Sequence, residues 1–276
     1  MAAVAEVRKR TADYAALLWK SQSGFRDDDV ATFTRRMVPT VQAAQVRVAA
    51  LTSSYIARTT GEKPVPVVRA DVTNGRGVDP VEVYTRPAVT VRTQLSQGAS
   101  FTAATAAGLA RLQSIAAMDL QMSKVRQSRS SLQRSSYQFY ARVLTGSENC
   151  ALCVIASTQR YRRGNLMPVH PGCDCGIEPL PRGAFPNQVI DQDLLDRTHE
   201  QIASKLGASD PSARQLGQGK YVNYNTTGSD ARGGTRFGKN ERLADYTDLI
   251  ISRDHGEFGP TLTWRADHFS TGGDFK

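Results

Sequence analysis

All four cysteines of this 276-residue chain lie within 26 residues, together with one of its four histidines. Their order is Cys150-Ala-Leu-Cys153, sixteen residues, and then His170-Pro-Gly-Cys173-Asp-Cys175. Thiolate and imidazole are ligands that zinc prefers, and a structural zinc site takes four of them in a tetrahedron. The clustering therefore predicts a metal centre rather than scattered structural cysteines.

Short turns bring these donors together. The Pro-Gly pair after His170 suits a type II turn, whose ends, His170 and Cys173, approach within about 7 Å. If Cys173-Asp-Cys175 is extended, its two thiols face the same side, because side-chain direction repeats every two residues along a strand. Five donors then converge on a metal that takes four. We expect one structural zinc ion per chain, bound by Cys150, Cys153 and His170 with one or both of Cys173 and Cys175.

Two disulfides, or reduced cysteines in a core, are the alternatives to this metal. The chain begins with a very short apolar stretch followed by charges, which is the reverse of a secretory signal. We therefore expect a reducing compartment, where cysteine clusters bind metal more often than they form disulfides.

A catalytic role for the zinc is not expected. Nucleic-acid deaminases use H-x-E followed by P-C-x-x-C, whereas His170 begins a turn and neither cysteine pair follows a proline. A site closed by four protein ligands leaves no position for an activated water. The chain has no phosphate-binding glycine motif, and His199, His255 and His268 are scattered among polar residues. We predict that the protein is not an enzyme.

Positive charge is concentrated in the first half of the chain. Residues 1–145 hold 20 Lys and Arg against 10 Asp and Glu, whereas residues 146–276 hold 15 against 16. This asymmetry indicates an anionic partner, nucleic acid first, although solvated helix faces give the same pattern. The segment 124–142 has no acidic residue and mixes its cations with serines and aromatics. The predicted contact residues for DNA backbone or a protein partner are Lys124, Arg126, Arg129, Arg134 and Arg142, with Arg160, Arg162 and Arg163 in the cysteine loop.

The motifs RVLTGSENCALC (142–153), YRRG (161–164) and PVHPGCDC (168–175) resemble the cysteine–histidine module of MuF-like phage head morphogenesis proteins. These are minor capsid proteins of tailed bacteriophages, and this version is similar to those of phages that infect actinobacteria. The specific match covers about residues 137–180. The family's ligand positions transfer to the five Cys and His donors and to no other residue.

The resemblance implies a structural role at or near the portal, inside the capsid, during head assembly. It implies portal or major capsid protein as partners, possible backbone contacts with packaged DNA, and no membrane. The protein would lie in the virion, and in the host cytoplasm before assembly. The main alternative is a sequence-independent DNA-binding zinc protein with no virion role, and a zinc-dependent enzyme or C-terminal toxin is the second.

Hydrophobic periodicity predicts a mainly helical region over residues 1–136. Pro39 and Pro87 should kink or divide the helices that contain them. A loop or short strand is expected over 59–80. The predicted helices span residues 4–22, 30–58, 80–97 and 101–125.

The rest of the chain predicts a small module and an extended arm, so the expected fold class is α+β. The zinc-binding module spans 137–182 and begins with a strand at 137–144, where aromatic and β-branched residues concentrate. Residues 183–276 form a connector, a short helix at 191–206 and a C-terminal arm. The arm contains seven glycines between 207 and 238, too few apolar residues to offset its ordering entropy, and a small docking element at 241–264.

Overall fold

The computed structural model describes residues 2–145, 151–164, 175–185, 187–198, 250–254 and 260–264, the last two segments as backbone only. Its first part is helical, as predicted for residues 1–136. The helices are Ala2–Lys20 (α1), Asp27–Thr60 (α2), Arg69–Thr73 (α3), Pro80–Ser96 (α4) and Phe101–Arg134 (α5).

The second part is a small antiparallel sheet with one helix, which makes the fold α+β, as predicted. Its strands are Phe139–Val143 (β1), Arg160–Arg162 (β2) and Gly176–Leu180 (β3), and Ala151–Ser157 (α6) lies between β1 and β2. Strands Ile250–Asp254 (β4) and Pro260–Trp264 (β5) pair antiparallel with each other. Residues 192–198 are helical, within the helix predicted at 191–206. The Gly-rich segment 207–238 lies outside the described residues.

The helices share one core because each carries an apolar stripe. Met37 and Val41 of α2, Val91 of α4 and Leu112 of α5 are almost fully buried in one cluster with Trp19 of α1. The Trp19 indole N–H donates to the carbonyl of Thr105 at 3.2 Å, which ties α1 to α5. Within the described residues, no helix combines the length and the apolar character needed to cross a membrane.

Two helix starts follow the predicted capping chemistry. The Asp79 side chain accepts a hydrogen bond from the Val81 N–H at 2.8 Å, and Pro80 occupies the first turn of α4. Ser100 accepts from the Ala103 N–H at 3.2 Å and starts α5. Each cap satisfies a backbone donor that the helix itself leaves without a partner.

Helix lengths depart from prediction where packing overrides local preference. A division of α2 at Pro39, one of the two effects predicted for that residue, is wrong, because α2 runs unbroken from Asp27 to Thr60. Helix α5 continues nine residues beyond the predicted end at Val125. Ser128, Ser131 and Leu132 are buried there, so tertiary contact compensates for the modest helix propensity of serine. The region 59–80 also contains the short helix α3, which was not predicted.

A buried ion pair joins the α3–α4 connection to α5. The Arg76 guanidinium donates to the Asp119 carboxylate at 2.6 Å, and both side chains are less than 10% exposed. The Tyr84 hydroxyl donates to the other carboxylate oxygen at 2.7 Å. Burial, with the charge of Asp119, raises the pKa of Tyr84 well above its ordinary value. Both carboxylate oxygens therefore have partners, as a buried charge requires.

Strand β1 is the centre of the three-stranded sheet, in the order β2-β1-β3. Tyr140 lies opposite Tyr161 of β2 and Pro179 of β3. The strand predicted at 137–144 is confirmed, at 139–143. Tyr140 and Arg142 point to the same side because they are two residues apart, and both are buried.

Candidate metal centre and basic surface

The topology of the sheet places the segments that contain the predicted zinc ligands at one of its ends. The last residue of β1, Val143, pairs with the first residue of β3, Gly176. The chain thus leaves β1 and returns to β3 at the same sheet end, and all five donors lie between these two positions in sequence. Cys175 directly precedes β3, and Cys153 lies in α6.

The two described cysteines belong to one buried cluster. Cys153 is 2% exposed and Cys175 is 0% exposed, and they share an apolar core with Tyr140 and Ile177 of the sheet. Helices α2 and α5 complete that core with Ile56, Val125 and Leu132. Both sulfurs are therefore placed in the interior, between the sheet and the two longest helices.

Helix α5 also fixes the backbone beside the second cysteine. The Gln121 side-chain amide is 1% exposed and donates to the Cys175 carbonyl at 2.9 Å. On the other side, the Tyr161 hydroxyl donates to the Ala156 carbonyl at 2.9 Å and ties β2 to α6. Each cysteine thus sits on an element that a long-range hydrogen bond anchors.

The chemistry of Cys153 and Cys175 fits a closed structural metal site. Thiolates are the metal-binding form of cysteine, and a thiolate buried among apolar side chains is stable only if a metal or other cation compensates its charge. Within the described residues, no group of three or more Cys, His, Asp or Glu side chains is close enough to hold a metal. Cys150, His170 and Cys173, the other predicted ligands, lie outside the described residues.

Two residues of the predicted basic contact set are buried. Lys124 is 1% exposed and Arg142 is 4% exposed. Lys124 donates to the Thr145 hydroxyl at 3.3 Å, and Arg142 shares the buried side of β1 with Tyr140. Since neither side chain reaches the surface, we leave both out of the proposed contact surface.

Two further residues of that set are partly committed to internal contacts. The Arg126 guanidinium donates to the backbone carbonyls of Asp71 and Gly75 and is only partly exposed, like Arg129. Arg126 therefore holds the end of α3 and the following turn against α5. This structural task limits what it can offer a partner.

Three arginines remain exposed, and they lie where α5 joins the sheet. Arg134 ends α5, while Arg162 and Arg163 end β2 and begin the turn after it. The Arg163 backbone N–H donates to the Gln138 carbonyl at 2.9 Å, and its guanidinium donates to the Ser135 carbonyl. We call these three residues the junction arginines.

An arginine–aromatic stack stands beside this group. The Arg160 guanidinium lies 4.5 Å from the centre of the Phe139 ring, and that of Arg162 lies 6.0 Å from it. Arg160 also donates to the carbonyl of Phe185. Stacking on an aromatic face is favourable for a cation, and it restricts the rotamers that a bound anion would otherwise have to order.

The chain between α5 and β1 is fixed by an acidic residue from α2. Glu62 accepts hydrogen bonds from both the N–H and the hydroxyl of Ser136, each 2.7 Å long. These bonds lower the pKa of the Glu62 carboxyl. They hold the junction arginines in place relative to the end of α2.

Gln121 and Glu62 escaped the sequence reasoning, because a single polar residue gives no signal of a partner more than 50 residues away. The burial of Arg142 did have a signal. Its spacing of two from Tyr140 within a predicted strand places both on one face.

Comparison of the chain with protein-family models, with curated proteins and with solved structures yields no match.

Proposed function

We propose that this protein is a non-enzymatic minor capsid protein of a tailed bacteriophage that acts at the portal or capsid interior during head assembly. The observation that carries the proposal is the placement of Cys153 and Cys175 in the core that joins the sheet to α2 and α5. Such a position suits a structural staple, because it offers a metal no open cleft for substrate. The cysteine–histidine motif that resembles MuF-like proteins supplies the biological role.

In this proposal one zinc ion is held by four of the five donors Cys150, Cys153, His170, Cys173 and Cys175. A bound zinc would cross-link α6, the chain before β3 and the segment around His170, and would perform no reaction. The site would contribute folding free energy directly, as in other small zinc modules. Residues 183–276 form the extended arm of the proposed protein.

The junction arginines are the proposed contact with an anionic partner, with Arg129 and Arg160 at the edge of the surface. Exposed guanidinium groups can bind carboxylates or phosphates through two parallel hydrogen bonds. We favour an acidic surface of the portal or major capsid protein over DNA, because head assembly needs a defined docking surface and a DNA backbone does not supply one.

The test is the location of the protein in purified phage heads. Heads are separated from soluble protein by sedimentation, and the protein is detected with an antibody before and after protease treatment. We expect it to sediment with heads and to resist protease until the heads are opened. Recovery only in the soluble fraction would contradict the proposal.

A matched pair of variants links this experiment to the surface. Replacing Arg162 and Arg163 by Gln should reduce incorporation into heads, whereas Arg111→Gln, an exposed position in α5, should leave it unchanged. The alternative role, a DNA-binding protein outside the virion, predicts tight duplex binding by the purified protein and no incorporation of any variant.

A further inference from the structure

A pocket at one end of the helical region contains an amide group without a hydrogen-bond partner. The pocket lies between the end of α1 and the start of α2, has a volume of about 200 Å³ and is open to solvent. Its apolar wall is made by Leu18 and Phe33, both buried. The polar residues that line it are Ser21, Gln22, Ser23, Asp29, Thr32 and Arg36.

Gln22 is the residue of interest. Its side-chain oxygen and nitrogen are both buried and make no hydrogen bond to any residue that the structure describes. The neighbouring carboxylate is already engaged, since Asp29 accepts from the Ser23 hydroxyl at 2.8 Å and from the Arg26 N–H at 3.1 Å. A buried polar group without a partner is destabilising. The pocket therefore favours an occupant that can both donate to and accept from one amide.

The size of the pocket restricts the occupant further. Sites for cofactors and drug-sized ligands usually measure about 300–1,000 Å³, so about 200 Å³ is better matched to a single amino-acid side chain. A carboxamide, from Asn or Gln, carries one acceptor and two donors and can pair with the Gln22 amide in both directions. A water molecule could satisfy the same atoms, and the experiments below distinguish the two.

An aromatic row connects the pocket wall to an exposed ring. Phe33 lies 5.6 Å from Trp19, Trp19 lies 4.9 Å from Phe25, and Phe25 lies 6.2 Å from Phe101, measured between ring centres. Phe101 is 61% exposed. Exposed aromatic residues beside a small pocket are typical of protein–protein interfaces.

We infer that this end of the helical region is a docking site for a partner polypeptide, which inserts one carboxamide side chain beside Gln22 and packs an apolar side chain on Phe101. Asp29 and Ile56 are separated by about 40 Å along α2, at 1.5 Å per residue. The docking site and the cysteine module can therefore be occupied by different molecules. The inference rests on the proposed function only for the partner used in the second experiment.

The first experiment tests the pocket on the full-length protein alone. The probe is N-acetylglutamine methylamide, and N-acetylmethionine methylamide is the control, with a side chain of similar length and no amide. In NMR titrations we expect the glutamine compound, and not the control, to shift the side-chain amide signals of Gln22. Equal shifts with both compounds, or none at concentrations near 100 millimolar, would overturn the inference.

A stability measurement separates an unpaired amide from a structural one. Gln22→Met replaces the amide with an apolar side chain of similar length, and Gln113→Met makes the same change at an exposed position in α5. We expect Gln22→Met to unfold at the same or a higher urea concentration than the unmodified chain. A clear decrease, with Gln113→Met unaffected, would show that the amide has a structural partner such as water and would overturn the inference.

The second experiment uses the portal protein of the same phage as the partner. If it binds the unmodified chain, Gln22→Met and Phe101→Ser should each weaken binding by about tenfold or more, and Gln113→Met should not. Unchanged binding by both pocket variants would overturn the inference and leave the proposed function intact. If the unmodified chain does not bind the portal protein, the proposed function loses that partner, and the NMR titration decides the pocket by itself.

Discussion

Replacing Cys153 or Cys175 by alanine distinguishes a metal ligand from a buried apolar residue. Both side chains are almost fully buried, so removing the sulfur from a purely apolar core would cost about 1–2 kcal/mol of unfolding free energy. Structural zinc supplies about 10–16 kcal/mol to small zinc modules, and loss of one of four ligands removes a large part of it. We expect each variant to lose at least about 4 kcal/mol with zinc present and about 1–2 kcal/mol after chelation.

The measurement is hydrogen exchange of the β1 and β3 amides under reducing conditions, with zinc and with chelator. Slow amides in these strands report the free energy of opening the sheet separately from that of the helical region. Ile155→Val is the matched control, because Ile155 lies in α6, two residues from Cys153, and is fully buried. This control should cost about 0.5–1.5 kcal/mol in both conditions.

Equal costs with and without zinc would refute the metal reading for that cysteine. Stability that falls when disulfides are reduced, and does not respond to zinc, would instead favour the disulfide alternative. The coupling between mutation and metal is a difference of differences, so errors common to all variants cancel.

Three further predictions concern packing, pH and salt. Gly108→Ala places a methyl group 2.6 Å from side-chain atoms of Trp19 and Val91 and should lower the unfolding free energy by about 1–3 kcal/mol, whereas Gly164→Ala, with open space around it, should not change the urea midpoint. Burial raises the pKa of Tyr140 to about 12, so above pH 10 the unfolded chain releases this proton before the folded one does; stability should fall by about 1.4 kcal/mol per pH unit between pH 10 and 12 from this residue, and Tyr140→Phe should remove that part of the slope in urea titrations. If the junction arginines contact phosphates, changing Arg162 and Arg163 to Gln should reduce the slope of log affinity against log salt by about two for any duplex sequence; an unchanged slope combined with loss of head incorporation would identify an acidic protein partner.

The sequence predicted the helical region well, because its signals are local. Apolar periodicity and the caps at Asp79 and Ser100 act within one or two turns, and both helix starts lie where these residues place them. The end of α5 was missed because burial of Leu132 against the sheet decides it. A contact with residues that follow in the chain leaves no mark on the helix's own pattern.

The basic contact set shows the limit of counting charges. Lys124 and Arg142 contribute to the charge of residues 1–145 as much as Arg134 does, yet they are buried and Arg134 is exposed. Net charge records how many cations a segment carries and not the face on which each one lies. Lys124 follows Leu120 by four residues, so the helical period places it on a buried face, which its charge conceals.

Helix α5 links the cysteine module to the helical region more closely than the sequence indicates. From the sequence, the helical half should remain folded after metal loss, since it has its own apolar faces. In the structure, Leu112 of α5 lies in the core with α1, α2 and α4, while Val125 and Leu132 lie in the core with the two cysteines. Loss of the module would thus expose the second half of α5 to solvent, together with the buried Gln121 amide that Cys175 now satisfies. Metal removal should therefore unfold α5 from its C-terminal end, while the turns near Leu112 keep their partners.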